Sequence, residues 1–361
     1  YDVGARVSSE PVRNWQEEWH DEKTYGVNEF EKFWVKRYWG DFGCPTTCLK
    51  LAVIREGPLK GAITDNPDYE MQAYLGPNLG IFEPESNVYL ASLIDDLGLC
   101  GIQTGNVLGF VAELYQRGIM NKDDLDGVKP EWGNTRAFAE LIKKIAWRKG
   151  IGDTLAEGSY RAALKLSKMK GKDLSIYAVQ EKGVAIGAHG IRSGRDYTSN
   201  VSYACSVQGG DHTSVAETPT DHTSGELDSV FNDSSVICMF NTFSVSKEVI
   251  WDFFDAVTGW TTAQKEWDET NGPRILQLQR AMLLLGGPDL KWKPEVDDEN
   301  PPRFYEPLPS GRYRGRTVKK EKFREQKKEY YEAVGWDEKG LPRPEVLRKL
   351  GLQDVEAKLR K

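Results

Sequence analysis

Two of the five cysteines in this 361-residue chain sit four positions apart, in Asp41-Phe42-Gly43-Cys44-Pro45-Thr46-Thr47-Cys48. Thiols held this close serve a metal, a disulfide or redox exchange. The spacing differs from the two-residue gap of a thioredoxin-type motif, and a disulfide across it needs a favourable local geometry. Two readings stay open. The cysteines are ligands of an iron–sulfur cluster, whose cysteines come in short local groups with one distant member, or they are reduced, buried, structural thiols.

Three further places could do chemistry. Glu70 lies in an aromatic, weakly charged, glycine-bounded run from Asp68 to Gly80. It reads either as a surface helix glutamate or as a partly desolvated carboxyl with a raised pKa, suited to proton transfer. His212 follows Gly209-Gly210-Asp211. It is either an ordinary loop histidine or a side chain beside a backbone that a ligand can approach closely. Asp95-Asp96-Leu97-Gly98-Leu99-Cys100-Gly101 leads toward a helix that Thr104 can N-cap. That helix start would favour an anion; the plainer reading is a helix–glycine–helix corner. Asp233-Ser234-Ser235-Val236-Ile237-Cys238 repeats the Asp-x-x-x-apolar-Cys layout, the one internal echo in the chain. Cys205 reads as a buried structural thiol.

The elements that must position these residues are mostly helical. Trp15 and Trp19 could share one helix face, and Glu29 to Tyr38 reads as a short aromatic helix ending at Gly40, with the cysteine stretch as the loop after it. Leu49 to Arg55 reads as a strand. Ser86 to Leu97, Thr104 to Arg117, Asn134 to Lys149, Thr154 to Met169, Ser246 to Val257, Thr262 to Leu285 and Lys319 to Val334 carry helical periodicity or charge, and a short tail helix follows around Val346 to Leu350. Asp289 to Pro309 reads as extended. The composition changes after Gly171, so residues 1–175 and 176–361 are expected to form two helical domains, mainly α.

A net charge of −7 argues against a nucleic-acid partner. The basic run Arg312 to Lys328 is flanked by acids and reads as a solvated helix. No apolar run approaches about 18 residues, the length of a membrane-spanning segment. No signal peptide is visible, and five cysteines without framework spacing point to a reducing, cytoplasmic setting. The chain begins at Tyr1, as a fragment or a processed chain would.

Taken in order, these parts resemble the C-terminal two-thirds of the tungsten–bispterin aldehyde:ferredoxin oxidoreductase family. The resemblance rests on Phe42 to Cys48; Tyr69-Glu70 with Leu75-Gly76-Pro77-Asn78-Leu79-Gly80; Asp95 to Cys100 with Thr104-Gly105-Asn106; Leu155-Ala156-Glu157-Gly158; Gly209 to His212; Asp233 to Cys238; Val257-Thr258-Gly259-Trp260; and Gly335-Trp336-Asp337. It implies the second and third domains of that fold, without the family's N-terminal β domain, which would be missing or supplied as a separate polypeptide. It implies a tungsten-bis-molybdopterin and a [4Fe-4S] cluster. Cys44, Cys48 and Cys238 would hold the cluster, with Asp41 where the family normally has a first cysteine. Asp95, Leu99, Cys100, Asp233 and Ile237 would contact the pterins, and Glu70 and His212 would handle protons near the metal. Cys100 stands where aldehyde-oxidising members carry aspartate and could reach tungsten. In this the chain is similar to the active-site subunit of tungsten-dependent benzoyl-CoA reductases. Ser214 and Val236 also depart from the aldehyde-oxidising pattern. The resemblance therefore implies an oxidoreductase subunit that reduces benzoyl-CoA or a related aryl-CoA, fed by an iron–sulfur subunit or ferredoxin. Its alternatives are an aldehyde:ferredoxin oxidoreductase and a non-catalytic iron–sulfur scaffold.

Overall fold

The computed structural model describes residues 3–40, 42–65, 67, 69–215, 225–242, 245–287 and 290–360. The chain divides into two compact units. The first comprises Tyr1–Thr198 and takes back Asn300–Lys319; the second comprises Ser199–Glu299 and Lys320–Lys361. Asp41 lies outside the described residues.

In the first unit a three-stranded antiparallel sheet runs β1 (Trp34–Trp39), β2 (Leu49–Val53), β3 (Ile63–Thr64). The expected helix over Glu29 to Tyr38 is confined to Val27–Phe30 and a 3-10 turn, Glu31–Phe33. Beyond it, Trp34, Val35, Tyr38 and Trp39 belong to β1, where aromatic and β-branched side chains fit a pleated surface. Tertiary pairing decides this: β2 needs a partner for its backbone groups, and Trp34 lies opposite Ala52 and Trp39 opposite Leu49. The cysteine stretch is thus the connection of a β-hairpin. The helix expected around Trp15 is also absent. Arg13, Asn14 and Trp15 have φ of 47°, 56° and 60°, closing a turn bridged by Val12 and Glu17. Backbone N–H groups of Arg13 and Asn14 donate to Pro77 and Asn78 carbonyls at 2.9 and 3.1 Å, which compensates the unfavourable backbone.

Six helices follow: α1 (Tyr69–Tyr74), α2 (Pro84–Leu97), α3 (Gly101–Gln116), α4 (Thr135–Ala146), α5 (Ile151–Leu155) and α6 (Gly158–Lys170). Proline opens α2 and Gly98, with φ +65°, ends it. Leu90, Ala91 and Ile94 of α2 and Leu108, Val111 and Leu114 of α3 are fully buried in one core with Phe138, Leu141 and Ile142 of α4. Each large side chain so buried contributes about 1.5–3 kcal/mol. Asn134 caps α4, its side-chain oxygen accepting from the Ala137 N–H at 3.2 Å. A small hairpin of β4 (Gln180–Glu181) and β5 (Val184–Ala185) precedes the segment that returns to the site. The segment Asn300–Lys319 is tied to this unit through buried Arg303, whose guanidinium meets Glu113 at 2.7 and 2.8 Å.

The second unit holds α7 (Glu226–Ser235), α8 (Lys247–Thr258), α9 (Gly272–Leu285), α10 (Lys320–Ala333), α11 (Pro344–Lys349) and α12 (Gln353–Leu359). The helix expected over Thr262 to Leu285 is interrupted by a π-helical turn, Trp267–Asn271, before α9 begins. Ala281, Leu347, Leu350, Leu352 and Val355 form a core between α9 and the last two helices. Arg280 is buried with Asp298 at 2.5 and 3.0 Å, and Tyr331 donates its hydroxyl to the same carboxylate at 2.6 Å. Cys205 is fully buried. Among the described residues, no single helix is long and apolar enough to cross a membrane.

Candidate active site

The internal echo in the sequence is an echo in structure. At Asp95 to Cys100 the Gly98 N–H donates to the Asp95 carbonyl at 3.1 Å and the Leu99 N–H to Ile94 at 3.1 Å. At Asp233 to Cys238 the Val236 N–H donates to Asp233 at 3.3 Å and the Ile237 N–H to Asn232 at 2.9 Å. Both are paired-bond helix endings of the kind that needs a left-handed residue. Gly98 supplies it in the first, and Val236, with φ +58°, in the second. Each cysteine then opens a new helix: the Thr104 N–H reaches the Cys100 carbonyl and the Asn241 N–H the Cys238 carbonyl, both at 3.0 Å. The first new helix, α3, therefore starts at Gly101, with Cys100 rather than Thr104 as its N-cap. Leaving α2 consumes the residues up to Leu99, and Thr104 ends up buried inside the helix.

Glu70 lies on α1, which packs against the start of α3. A side chain added at Gly101 would meet Met71 Cγ at 2.8 Å, and one at Gly105 would meet Tyr74 Cβ at 2.7 Å. These two glycines let the Glu70 helix and the Cys100 helix touch. Glu70 Oε2 accepts the Ala188 N–H at 2.8 Å. Its Oε1 is 3.3 Å from Nε2 of His189, whose Nδ1 is 3.0 Å from Asp196 Oδ2. The imidazole lies between two rings, Tyr69 at 4.9 Å and Tyr197 at 4.8 Å between centroids. Burial works against a charge on His189. The hydrogen bonds and charges of Asp196 and Glu70 outweigh it, and the pKa is pushed up to about 9. Burial likewise works against the Asp196 anion, but the His189 contact leaves its carboxyl below its ordinary value. Burial holds the Tyr69 hydroxyl well above its ordinary range.

Among the sequence-predicted residues, the first unit brings Glu70 and Cys100 onto touching helices. Cys44 and Cys48 lie half-buried on the β1–β2 hairpin loop beside Gly43 with φ +74°, neither in a disulfide, and the Cys44 thiol faces the Thr46 carbonyl at 3.7 Å. Asp95 accepts the Thr64 hydroxyl at 2.7 Å. The second unit carries His212, Asp233, Ile237 and Cys238. His212 follows Asp211, whose carboxylate turns the chain by accepting from the Thr213 N–H and hydroxyl at 2.9 and 2.8 Å. Ile237, Ser234 and Ser235 border a cavity of about 1040 Å³ walled by Trp251, Phe254 and Trp260. Sequence reasoning passed over His189 and Asp196. The available signal was Gly187-Ala188-His189-Gly190, a histidine among small residues as at Gly209 to His212.

The donor set suits a cluster and pterins. Two thiols outside any disulfide on one hairpin loop are of the type and local grouping that ligates iron. Cys100 is an exposed thiol at the N-terminus of a 16-residue helix, and its side chain makes no capping bond to that helix. A side chain at Gly98 would meet nothing within 4 Å, so the corner offers open backbone to a ligand.

The model of aldehyde ferredoxin oxidoreductase domains 2 and 3 matches residues 1–352. The chain is 54% identical, over all its length, to an aliphatic sulfonate oxidoreductase, WOR-like subunit, of Pyrococcus furiosus, and covers 58% of that protein. It is 31% identical to a tungsten-containing aldehyde ferredoxin oxidoreductase of the same organism, over 87% of this chain and 52% of the relative. Among solved structures it is similar in fold to the active-site complex BamBC of benzoyl coenzyme A reductase with 1,5-dienoyl-CoA, with TM-score 0.66 and 18% identity over 99% of this chain and 59% of that one. The chain thus spans somewhat over half the length of these relatives, and it belongs to the aldehyde ferredoxin oxidoreductase family.

Proposed function

We propose that this chain is part of a tungsten–bispterin oxidoreductase, the part that holds the iron–sulfur cluster and handles the proton. The carrying observation is the contact of α1 with α3, which puts Glu70 and Cys100 on touching helices. When bound, the tungsten–bispterin and its [4Fe-4S] cluster supply the electron transfer. Cys44, Cys48, Cys238 and Asp41 would hold the cluster. Asp95, Leu99 and Cys100 would meet one pterin, Asp233 and Ile237 the other, and Cys100 could ligate the metal. Glu70 and His212 would give and take the substrate proton. The rest of the relatives' length, or a separate polypeptide, would complete the enclosure, and an iron–sulfur subunit or ferredoxin would exchange electrons.

For the substrate, the relative matched along the whole chain at 54% identity supports an aliphatic sulfonate. A second reading, an aryl-CoA such as benzoyl-CoA, is favoured by one residue: Cys100, an exposed thiol at the head of α3. The likeness to benzoyl-CoA reductase supports the fold alone. The test is elemental analysis of the anaerobically purified native enzyme, followed by dye-linked assays with ethanesulfonate, butyraldehyde and benzoyl-CoA. About one tungsten and about four irons per chain are expected, with turnover of ethanesulfonate. Turnover of benzoyl-CoA, abolished by Cys100→Asp, would favour the second reading. Iron without tungsten or molybdenum would leave a scaffold.

A further inference from the structure

We infer that Glu70, His189 and Asp196 form a proton relay, in which His189 recharges Glu70 and Asp196 holds the imidazole in place. This rests on the proposed acid–base role of Glu70. Three contacts hold the groups together. The Ala188 N–H holds Glu70 Oε2 at 2.8 Å, and Nε2 of His189 stands 3.3 Å from Oε1. Nδ1 is committed to Asp196 at 3.0 Å. The ring has little freedom to turn. Tyr69 and Tyr197 flank it, the Tyr69 hydroxyl donates to the Ala188 carbonyl at 2.7 Å, and Thr198 Oγ1 donates to the His189 carbonyl at 3.3 Å. Within the first unit the titratable groups around it are Glu70, Asp196, Tyr69 and Tyr197, with Glu10 beyond Tyr69. The side chain of His189 is 19% exposed, a route to solvent that fully buried ion pairs such as Arg192–Glu18 lack.

The step moves one proton. After Glu70 has protonated substrate, Nε2–H of the imidazolium passes its proton to Oε1 of the carboxylate. The N–H bond breaks and an O–H bond forms. The imidazole becomes neutral, keeps Nδ1–H on Asp196, and regains a proton at Nε2 from solvent. His189 is a positioning and recharging residue; the group that meets substrate is Glu70.

A merely structural His189 would pin the loop 187–190 to α1, and the test separates the two. In the anaerobically purified holoenzyme assayed with ethanesulfonate, butyraldehyde and benzoyl-CoA, His189→Gln keeps hydrogen-bonding capacity but cannot carry the proton. Its kcat on the substrate that turns over should fall about 100-fold with KM little changed. His189→Ala should regain activity when imidazole is added. In ¹⁵N-histidine NMR the signal lost in His189→Gln should be that of a doubly protonated ring at neutral pH, and Asp196→Asn should shift it. Metal content should not change in any variant. Unchanged kcat in His189→Gln beside an inactive Glu70→Gln, or no rescue by imidazole, would overturn the relay and leave Glu70 in its role. An active Glu70→Gln would overturn the underlying reading and the relay with it.

Discussion

His189 carries its charge in a place that disfavours charge, and that has a consequence for stability. Its pKa rises from the ordinary 6.5 to about 9 in the folded chain. A raised histidine pKa means that the folded state binds the proton more tightly than the unfolded one. The stabilisation is complete below pH 6.5 and is lost as pH climbs through 9. Asp196 acts in the opposite sense. Its pKa is lowered, so its share is present at neutral pH and is lost as acid protonates the folded carboxyl. The loss on the alkaline side should be on the order of 2 kcal/mol. Denaturant midpoints taken between pH 6 and pH 9.5 should decline in the wild type and stay nearly level in His189→Gln. A decline of equal size in both would assign the alkaline loss to other groups.

Among the elements, the two Asp-to-Cys corners differ at one residue. Gly98 adopts φ +65° freely, whereas Val236 is held at φ +58°, where a β-branched side chain is strained. Val236 is 91% exposed, so little packing repays the strain. Val236→Gly should raise the stability of the second unit by about 1 kcal/mol, and Gly98→Val should lower that of the first by about 1–2 kcal/mol, both read from urea unfolding. A Val236→Gly variant no more stable than wild type would mean that the strain is relieved elsewhere. These corners also mark how far the sequence could be read. Helices with a clean stripe and a glycine stop, such as α2 and α8, were legible because local signals and tertiary packing agree. β1 was not, because its aromatic run suits helix or strand and only pairing with β2 decides. The cap of α3 lies four residues before the expected one because Thr104 is a good cap in isolation, while the helix ending before it dictates that Cys100 takes the position. Glu70 was found from its surroundings, but His189 and Asp196 become its partners only through a fold that joins residues more than a hundred positions apart.

For the molecule as a whole, the chain leaves its first unit at Thr198 and comes back for Asn300–Lys319. What holds that returning segment is an ionic network centred on a buried carboxylate. Arg303 meets both oxygens of Glu113, whose side chain is fully buried, and Asn14 donates to the same carboxylate at 2.6 Å. Arg117 adds a second guanidinium at 2.7 Å from the half-exposed side. Buried pairs of this kind give little net stability over apolar residues of similar size, yet removing one partner strands the other charge. Arg303→Ala should therefore cost about 3 kcal/mol, below the upper end for a stranded charge because Arg117 remains. The double variant Arg303→Met, Glu113→Leu should recover most of that loss. Hydrogen exchange would show where the cost falls. In Arg303→Ala the amides of α3, which carries Glu113, should lose protection, while those of α9, around the separate Arg280–Asp298 pair, should keep theirs. Equal loss of protection in α3 and α9 would show instead that the two units open together, and that the returning segment is a joint of the whole chain.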